Sequence, residues 1–461
     1  MLTPAVNKRA LAQTLASVTI GCTPDGQPRC VNGRTANELR SDLQQEATEC
    51  FLANRRLILQ WGTGIGKSRV AVKAVQALYL TGHRRILLLV AETQHKRNWE
   101  EQFVEHFGKA WGQTLYDSLI VECYHSLSKY AGTEWDCIIA DEAHHLRSEN
   151  RVEVLRSMKA DYVLCVSATV SDNGDADNLL DALGKTFGSF ETRDFSVGDG
   201  IRCGIIGEPK VFVHTLAIDD IRDEQYFVYG WGRPDKRVEI SCPYSEFIQM
   251  KDGLITRPAA ASVTVSCTAM EGYEFLSGEI ADCRERIRKL KENLKEGDAS
   301  SRAIQYLETE AKMYGSQRKL FIGRCKTSYA QKLLASLEGK RVICFCADVA
   351  QAEHLGAQTV ISSHKSRKAN ADIISLFNDG RSSSVFAVSM SEEGTNLHGI
   401  EAGVIIQLGS KERKFIQRFG RALRAESPVQ HILVLDETRD VEYLVDSLRN
   451  VDQKYISIVK Q

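Results

Sequence analysis

Leu57-Ile58-Leu59-Gln60-Trp61-Gly62-Thr63-Gly64-Ile65-Gly66-Lys67-Ser68 is the stretch whose reading decides the fold. An apolar run of strand length gives way to glycines, and helix formers follow from Arg69, so the glycines sit where a strand turns into a helix N-terminus. Backbone N–H groups at such a turn can cradle phosphates. In that arrangement Thr63, Gly64, Ile65 and Gly66 form the cradle, Lys67 reaches the β and γ phosphates of a nucleotide, and the Ser68 hydroxyl ligates Mg²⁺. The pattern G-x-x-x-x-G-K-[ST] is incomplete, because Trp61 holds the position of its first glycine. A tight connection ahead of a helix accounts for the glycines alone, but not for the segment that follows downstream.

That segment is Ile138-Ile139-Ala140-Asp141-Glu142-Ala143-His144-His145. Asp141, at the end of a second buried strand, is placed to hold the Mg²⁺ through water, which leaves Glu142 to orient or deprotonate an attacking water. The two segments together read as an NTP hydrolysis site. His144 and His145 invite a metal reading, but side chains adjacent in sequence are expected to diverge, and two histidines alone make a poor ligand set.

At 461 residues the chain suggests two or three units of roughly 100 to 200 residues. Its 59 Lys+Arg against 60 Asp+Glu leave a formal net charge of -1, so binding to a polyanion requires local basic patches and not a global field. The 13 cysteines are scattered without C-x-x-C pairs, which disfavours disulfide or zinc frameworks. No stretch approaches the ~20 apolar residues of a membrane span. Polar residues Gln13, Ser17 and Thr19 interrupt any signal-peptide core near the start. The expectation is a cytoplasmic protein, in a bacterial cell or a phage-infected host.

Apolar runs of strand length alternate with helical patterns at residues 56–60, 86–90, 119–122, 137–140 and 162–166, and the series recurs at 342–346, 359–361, 385–388, 404–408 and 432–435. Short buried runs separated by helices imply parallel α/β sheets, hence two α/β lobes. Between them, residues 211–243 are aromatic and alternating, which suggests a small β region, and residues 271–320 suggest a helical hairpin broken around Glu296-Gly297-Asp298. The expected division is an N-terminal extension over 1–38, a first lobe over 39–205, an insertion over 206–320 and a second lobe over 321–461. Arg284, Arg286, Arg288, Lys289 and Lys291 cluster in the hairpin, as a solvated face or as a grip on nucleic acid.

Ser167-Ala168-Thr169 follows the strand that ends at Val166, and Gln417-Arg418-Phe419-Gly420-Arg421-Ala422-Leu423-Arg424 lies in a helical stretch. Gln417, Arg421 and Arg424 fall at i, i+4 and i+7 and share one helix face, which can address a phosphate, while Ile416, Phe419 and Leu423 form another. An ordinary basic amphipathic helix explains the charges but not their coincidence with a separate P-loop lobe.

With these segments the chain resembles the superfamily 2 helicases and translocases from about residue 38 onward, and small phage-type DNA helicases in particular. The resemblance implies an α/β protein with two RecA-like parallel-sheet lobes in tandem, a β and helical insertion between them, and ATP with Mg²⁺ clasped in the cleft. Motif I matches residues 63–68, motif II residues 141–144 as DEAH, motif III residues 167–169 and motif VI residues 417–424. Gln44 matches the glutamine that reads adenine, with Gln45 left open by a one-residue irregularity. Arg424 becomes the finger on the γ phosphate, assisted by Arg421 and Gln417, while His144, Ser167, Thr169, Gly394 and Asn396 couple the site to motion. Nucleic-acid contacts fall to Thr93, Gln94, Lys96, His364, Lys365, Arg367 and Thr395.

Motif V, at 389–397, lacks the threonine of DEAD-box proteins, and Leu423 stands where DEAH RNA helicases commonly have glycine. Both departures point to the DNA-directed branches. DNA that is single-stranded, duplex or branched, in replication, recombination or repair, is therefore the implied substrate. RNA unwinding is the alternative, and a nonenzymatic nucleic-acid clamp a more distant one.

Overall fold

The runs flanking the P-loop become one fully parallel sheet with helices on both faces. The computed structural model describes residues 35–62, 64–167, 183–203, 205–292, 300–356, 359–362, 365–388, 397–409, 428–448 and 451–460. Chain order in the first lobe is α1 (Ala36–Asn54), β1 (Arg56–Trp61), α2 (Lys67–Leu80), β2 (Ile86–Val90), α3 (Thr93–Phe107), α4 (Lys109–Asp117), β3 (Leu119–Cys123), β4 (Glu134–Asp141), α5 (Glu149–Ser157), β5 (Lys159–Ser167), β6 (Glu191–Phe195) and α6 (Val197–Arg202). The strands lie in the order β3-β2-β4-β5-β1-β6. Alternation divides β1 between two cores: Leu57, Leu59 and Trp61 pack with α1 and α2, and Ile58 packs with Leu87, Leu89 and Ile138. A strand buried on both faces is forced into this near-continuous apolar composition.

The second sheet runs β12-β13-β11-β14-β15-β7-β16 and is also parallel throughout. Its members are β7 (Lys210–Leu216), β11 (Val342–Phe345), β12 (Val360–Ser362), β13 (Ser384–Val388), β14 (Ala402–Ile405), β15 (Val429–Leu435) and β16 (Ile456–Lys460). Here the structure departs from the expected boundaries. Lys210–Leu216, read as part of an insertion beginning at 206, is a strand of the second lobe, clamped between β15 and β16. Residues 211–243 read as one β region because their aromatic and alternating pieces look alike, yet pairing partners divide the segment near Ile218–Asp220.

What is inserted lies inside the second lobe. It comprises β8 (Gln225–Trp231), β9 (Val238–Pro243), α7 (Tyr244–Lys251) and β10 (Ala261–Cys267), followed by the long helices α8 (Ala269–Glu292) and α9 (Ser300–Cys325). The three strands form a sheet in the order β8-β10-β9. Phe227, Tyr229, Phe247 and Phe275 hold sheet and helices together, with Phe227 and Phe275 stacked at 5.0 Å. Helices α10 (Thr327–Ser336), α11 (Val349–Gly356), α12 (Arg367–Asn378) and α13 (Arg439–Leu448) then complete the second lobe. Among the described residues no helix is long and apolar enough to cross a membrane, and the cysteines are free thiols.

A buried histidine pair joins two strands of the second sheet. His214 Nε2 on β7 lies 2.9 Å from His431 Nδ1 on β15, and His214 Nδ1 lies 2.9 Å from the Tyr329 hydroxyl on α10. Burial, reinforced by the neighbouring His214, pushes the His431 imidazole down to about 4, and burial lowers His214 as well. Between the unfolded value of about 6.5 and that folded value, the unfolded chain takes up protons that the folded chain refuses. For His431, stability is therefore intact above about 6.5 and drops as the pH falls toward 4, by up to about 1.4 kcal/mol per pH unit, and His214 acts in the same direction. Denaturant unfolding of the second lobe at pH 7, 6 and 5 measures this slope. The expected result is a clearly shallower slope in His431→Gln, and an identical slope would refute the cause.

Candidate ATP site

Trp61, at the position of the P-loop pattern's first glycine, faces the loop with its backbone and not with its ring. The Trp61 indole turns into the core, 1% exposed and 6.3 Å from the Phe195 ring, while the Trp61 carbonyl accepts a hydrogen bond from Lys67 Nζ at 2.8 Å. Gly64 and Gly66 adopt φ of 89° and 97°, which a residue with a Cβ would occupy only with strain. Gly66 precedes α2 with no side-chain cap, so the helix N-terminus presents its N–H groups and the positive end of its dipole at Lys67 and Ser68.

A capping box between Thr35 and Glu38 sets the start of α1, and the helix delivers Gln44 to the loop. Gln44 is buried and its Nε2 donates to the Ile65 carbonyl at 3.1 Å. Gln45 points away, bonded to Glu49 and approached by Lys73. Of the two glutamines left open by spacing, Gln44 is the one that touches the P-loop.

β4 carries Asp141 to the edge of the same site. Trp99 Nε1 donates to Asp141 Oδ2 at 2.9 Å, and the Tyr124 hydroxyl donates to the Asp141 carbonyl at 2.7 Å. Burial, together with the charge of Glu142, raises the Asp141 carboxyl to about 6, against the pull of His95, the Trp99 hydrogen bond and Lys67. Glu142 sits at φ 51°, a left-handed conformation that costs a non-glycine residue about 1–3 kcal/mol and that is typical of functional sites. From there the Glu142 Oε2 lies 3.3 Å from His144 Nδ1, which is in turn 3.2 Å from the Ser167 hydroxyl at the end of β5.

The histidine rings do not diverge as expected: their centroids lie 4.4 Å apart. A 3-10 turn after the left-handed Glu142 brings them together. Each is engaged elsewhere, His144 with Glu142 and Ser167, and His145 stacked on Tyr124 at 5.5 Å. Among the described residues no cluster of three His, Cys, Asp or Glu could hold a metal by itself. The donors fit Mg²⁺ bound largely by a nucleotide: the oxygens of Ser68 and Asp141 suit a hard cation, and the Asp141 carboxyl, raised by burial and by the charge of Glu142 beside it, gains from a positive partner.

Sequence reasoning passed over His95 as part of this site. His95, Trp99 and Phe103 are buried at i, i+4, i+8 along α3, a spacing that could have flagged His95. Tyr124 follows β3 and reaches the Asp141 carbonyl at the end of β4 although β2 lies between those strands in the sheet, a contact that only the tertiary structure reveals.

The expected nucleic-acid contacts are unevenly placed. Thr93 opens α3 with its side chain exposed, and Lys365 is half-buried ahead of α12. Lys96 is already neutralised: its Nζ lies 2.7 Å from Glu122, whose carboxyl that hydrogen bond holds below its usual value. Thr63, Thr169, His364, Gly394, Thr395, Asn396, Gln417, Arg421 and Arg424 lie outside the described residues, as do the side chains of Gln94 and Arg367.

Residues 36–172 match the family described as type III restriction enzyme, res subunit, and residues 325–426 match the helicase conserved C-terminal domain, just over half of the chain together. The chain belongs to the superfamily 2 helicases. This superfamily 2 protein is 21% identical over 401 residues to the DNA 3'-5' translocase XPB2 of Sulfurisphaera tokodaii, spanning 84% of this chain and 79% of that one. Its fold is shared with S. cerevisiae Dbp5 bound to RNA and ADP BeF3, at TM-score 0.53 and 12% identity, over 90% of this chain and 89% of that chain. The Pyrococcus furiosus Hef helicase domain aligns at TM-score 0.45 and 15% identity, over 89% and 97%. The superfamily 2 protein is an ATP-hydrolysing helicase or translocase with two RecA-like lobes.

Proposed function

We propose that the protein is an ATP-driven DNA translocase or helicase serving replication, recombination or repair in a bacterial or phage-infected cytoplasm. The observation that carries DNA over RNA is the likeness to a DNA translocase along 84% of the chain. The departures in the 389–397 segment and at Leu423 point the same way.

In this reading Gln44 selects adenine beside the P-loop, and Lys67 exchanges the Trp61 carbonyl for the γ phosphate when nucleotide enters. Ser68 and Asp141 would hold Mg²⁺, which would supply charge neutralisation to the phosphates. Glu142, the residue beyond β4, orients the attacking water and accepts its proton. Arg421 and Arg424 reach across from the second lobe to meet charge that develops on the transferring group, assisted by Gln417. The chain Glu142–His144–Ser167 then passes the loss of the γ phosphate to the end of β5 and on to Thr169. With Gly394 and Asn396 acting from the second lobe, lobe opening steps a strand held by Thr93, Gln94, Lys365, Arg367 and Thr395.

Steady-state ATPase measured with single-stranded DNA, duplex DNA, branched DNA and RNA at matched salt tests the assignment. DNA is expected to stimulate turnover several-fold more than RNA, with binding that weakens steeply as salt rises. Equal stimulation by RNA would transfer the protein to the RNA helicases. Absence of ATPase under all conditions would leave the clamp.

A further inference from the structure

The charged run on α8, the obvious grip in the sequence, spends most of its charge internally, with Arg284 the exception among its five cations. Arg288 pairs with Glu285 at 2.8 Å and Glu292 at 2.9 Å, Lys289 with Glu285 at 3.5 Å, Arg286 with Asp282 at 3.7 Å, and Lys291 with Glu308 of α9 at 3.8 Å. Such a face has little net field to offer a polyanion.

The β-sheet of the same insertion does the opposite at one end. Ala261 is the register partner of both Trp231 and Val238, so the exit of β8, the start of β9 and the approach to β10 converge at a single sheet end. The crossover can pass there because Gly232 stands at φ 70°; a Cβ at that position would lie 2.6 Å from the Ala259 carbonyl. This convergence gathers Arg233, Lys236, Arg237 and Arg257, all exposed. Arg237 is tied to the Trp231 and Gly232 carbonyls at 3.2 and 3.3 Å, and the Arg257 guanidinium lies 5.4 Å from the Trp231 ring centroid. The Trp231 ring is itself pinned by its Nε1 to the Pro258 carbonyl at 2.8 Å. Among the described residues none of the four cations forms an ion pair, although Asp235 and Glu239 stand in the same segment. Exposed Tyr306 of α9 is within electrostatic reach of Arg237, which extends the face toward the helices.

We propose that Arg233, Lys236, Arg237 and Arg257, fixed around Trp231 at the β8–β10–β9 sheet end, form a second nucleic-acid backbone site outside the two motor lobes. The site rests on the nucleic-acid reading of the protein. Its ligand is the phosphodiester backbone, bound by charge and without base selection, because the groups offered are guanidinium and ammonium and the aromatic ring behind them is already occupied.

Arg233→Gln/Lys236→Gln/Arg257→Gln, which keeps Arg237 as the tie of the crossover, is compared with Arg286→Gln/Arg288→Gln/Lys289→Gln on α8. Circular dichroism verifies that both are folded. Fluorescence anisotropy without nucleotide follows a labelled DNA of about 30 nucleotides, single-stranded and duplex, over a salt series. The sheet-end variant is expected to bind about tenfold more weakly near 0.1 M salt and to show a log–log salt slope shallower by about two. The α8 variant is expected to bind as the wild type does. Unchanged affinity and slope in the sheet-end variant, with the wild type binding normally, overturn this site and leave the proposed function standing. Equal losses in both variants overturn it as well, because the effect would then be one of net charge. A wild type that binds no nucleic acid at all removes both the site and the function on which it rests. A loss seen only with phosphatidylserine vesicles assigns the patch to a membrane surface and overturns the nucleic-acid site.

Discussion

Lys67→Ala is expected to abolish ATP hydrolysis, and Glu142→Gln to retain ATP binding while losing turnover by about a thousandfold or more. The difference follows from what each side chain holds. Lys67 is the cation at the mouth of α2, tied to Trp61 until a phosphate replaces that carbonyl, so its removal takes away ground-state binding and transition-state charge together. Glu142 sits in a left-handed conformation that Gln shares, and the substitution changes only the charge and the proton acceptor. Binding of a fluorescent ATP analogue and release of phosphate, measured on the same preparations, separate the two defects. Arg424→Ala is expected to resemble Glu142→Gln, with turnover down about a thousandfold and a smaller change in nucleotide affinity. Hydrolysis at the parent rate in Glu142→Gln would remove Glu142 from the chemistry, and parent-rate turnover in Arg424→Ala would mean that the second lobe does not complete the site.

The largest effect on stability is expected at Lys326. Its side chain is fully buried, with Nζ 2.5 Å from Asp440 Oδ2 and 3.1 Å from the Leu433 carbonyl. The same Asp440 oxygen accepts the Leu435 backbone N–H at 3.1 Å, so one ion pair joins the end of α9 to β15 and α13. Lys326→Met strands a buried carboxylate and is expected to cost about 3–5 kcal/mol. Lys326→Met/Asp440→Leu is expected to cost clearly less than the sum of the single substitutions, because no uncompensated charge remains. The chain has more than one folding unit, so hydrogen exchange of β15 and α13 amides is a sharper readout than a global midpoint. Additive costs, or a single substitution costing under about 1 kcal/mol, would show that the pair is not what holds these elements.

Much of the fold was legible because a strand buried on both faces has little freedom in composition. Ile86–Val90 and Val342–Phe345 are apolar throughout, and each emerged as a strand inside a parallel sheet. Glu191–Phe195 carries Glu191, Arg193 and Asp194, so as an edge strand it had no apolar signature to read. Lys210–Leu216 did have the signature, but which sheet a strand joins is written in its partners, and β15 lies more than two hundred residues away.

At the ATP site the sequence by itself determined the chemistry: glycines where positive φ is required, a lysine and serine at a helix N-terminus, and a carboxylate pair after an apolar strand. These are local demands of backbone geometry and phosphate charge, so they leave local marks. Only the tertiary structure decided that Gln44 and not Gln45 meets the loop, that the Trp61 ring at the first-glycine position faces inward, and that Trp99 and Tyr124 brace Asp141. It also decided where charge is free to act. Lys96, Arg288 and Lys289 stand beside carboxylates that cancel them, whereas Arg233, Lys236 and Arg257 are gathered at a sheet end by strand register. Charge is counted along a chain, but the field that a partner meets is the sum over neighbours in space.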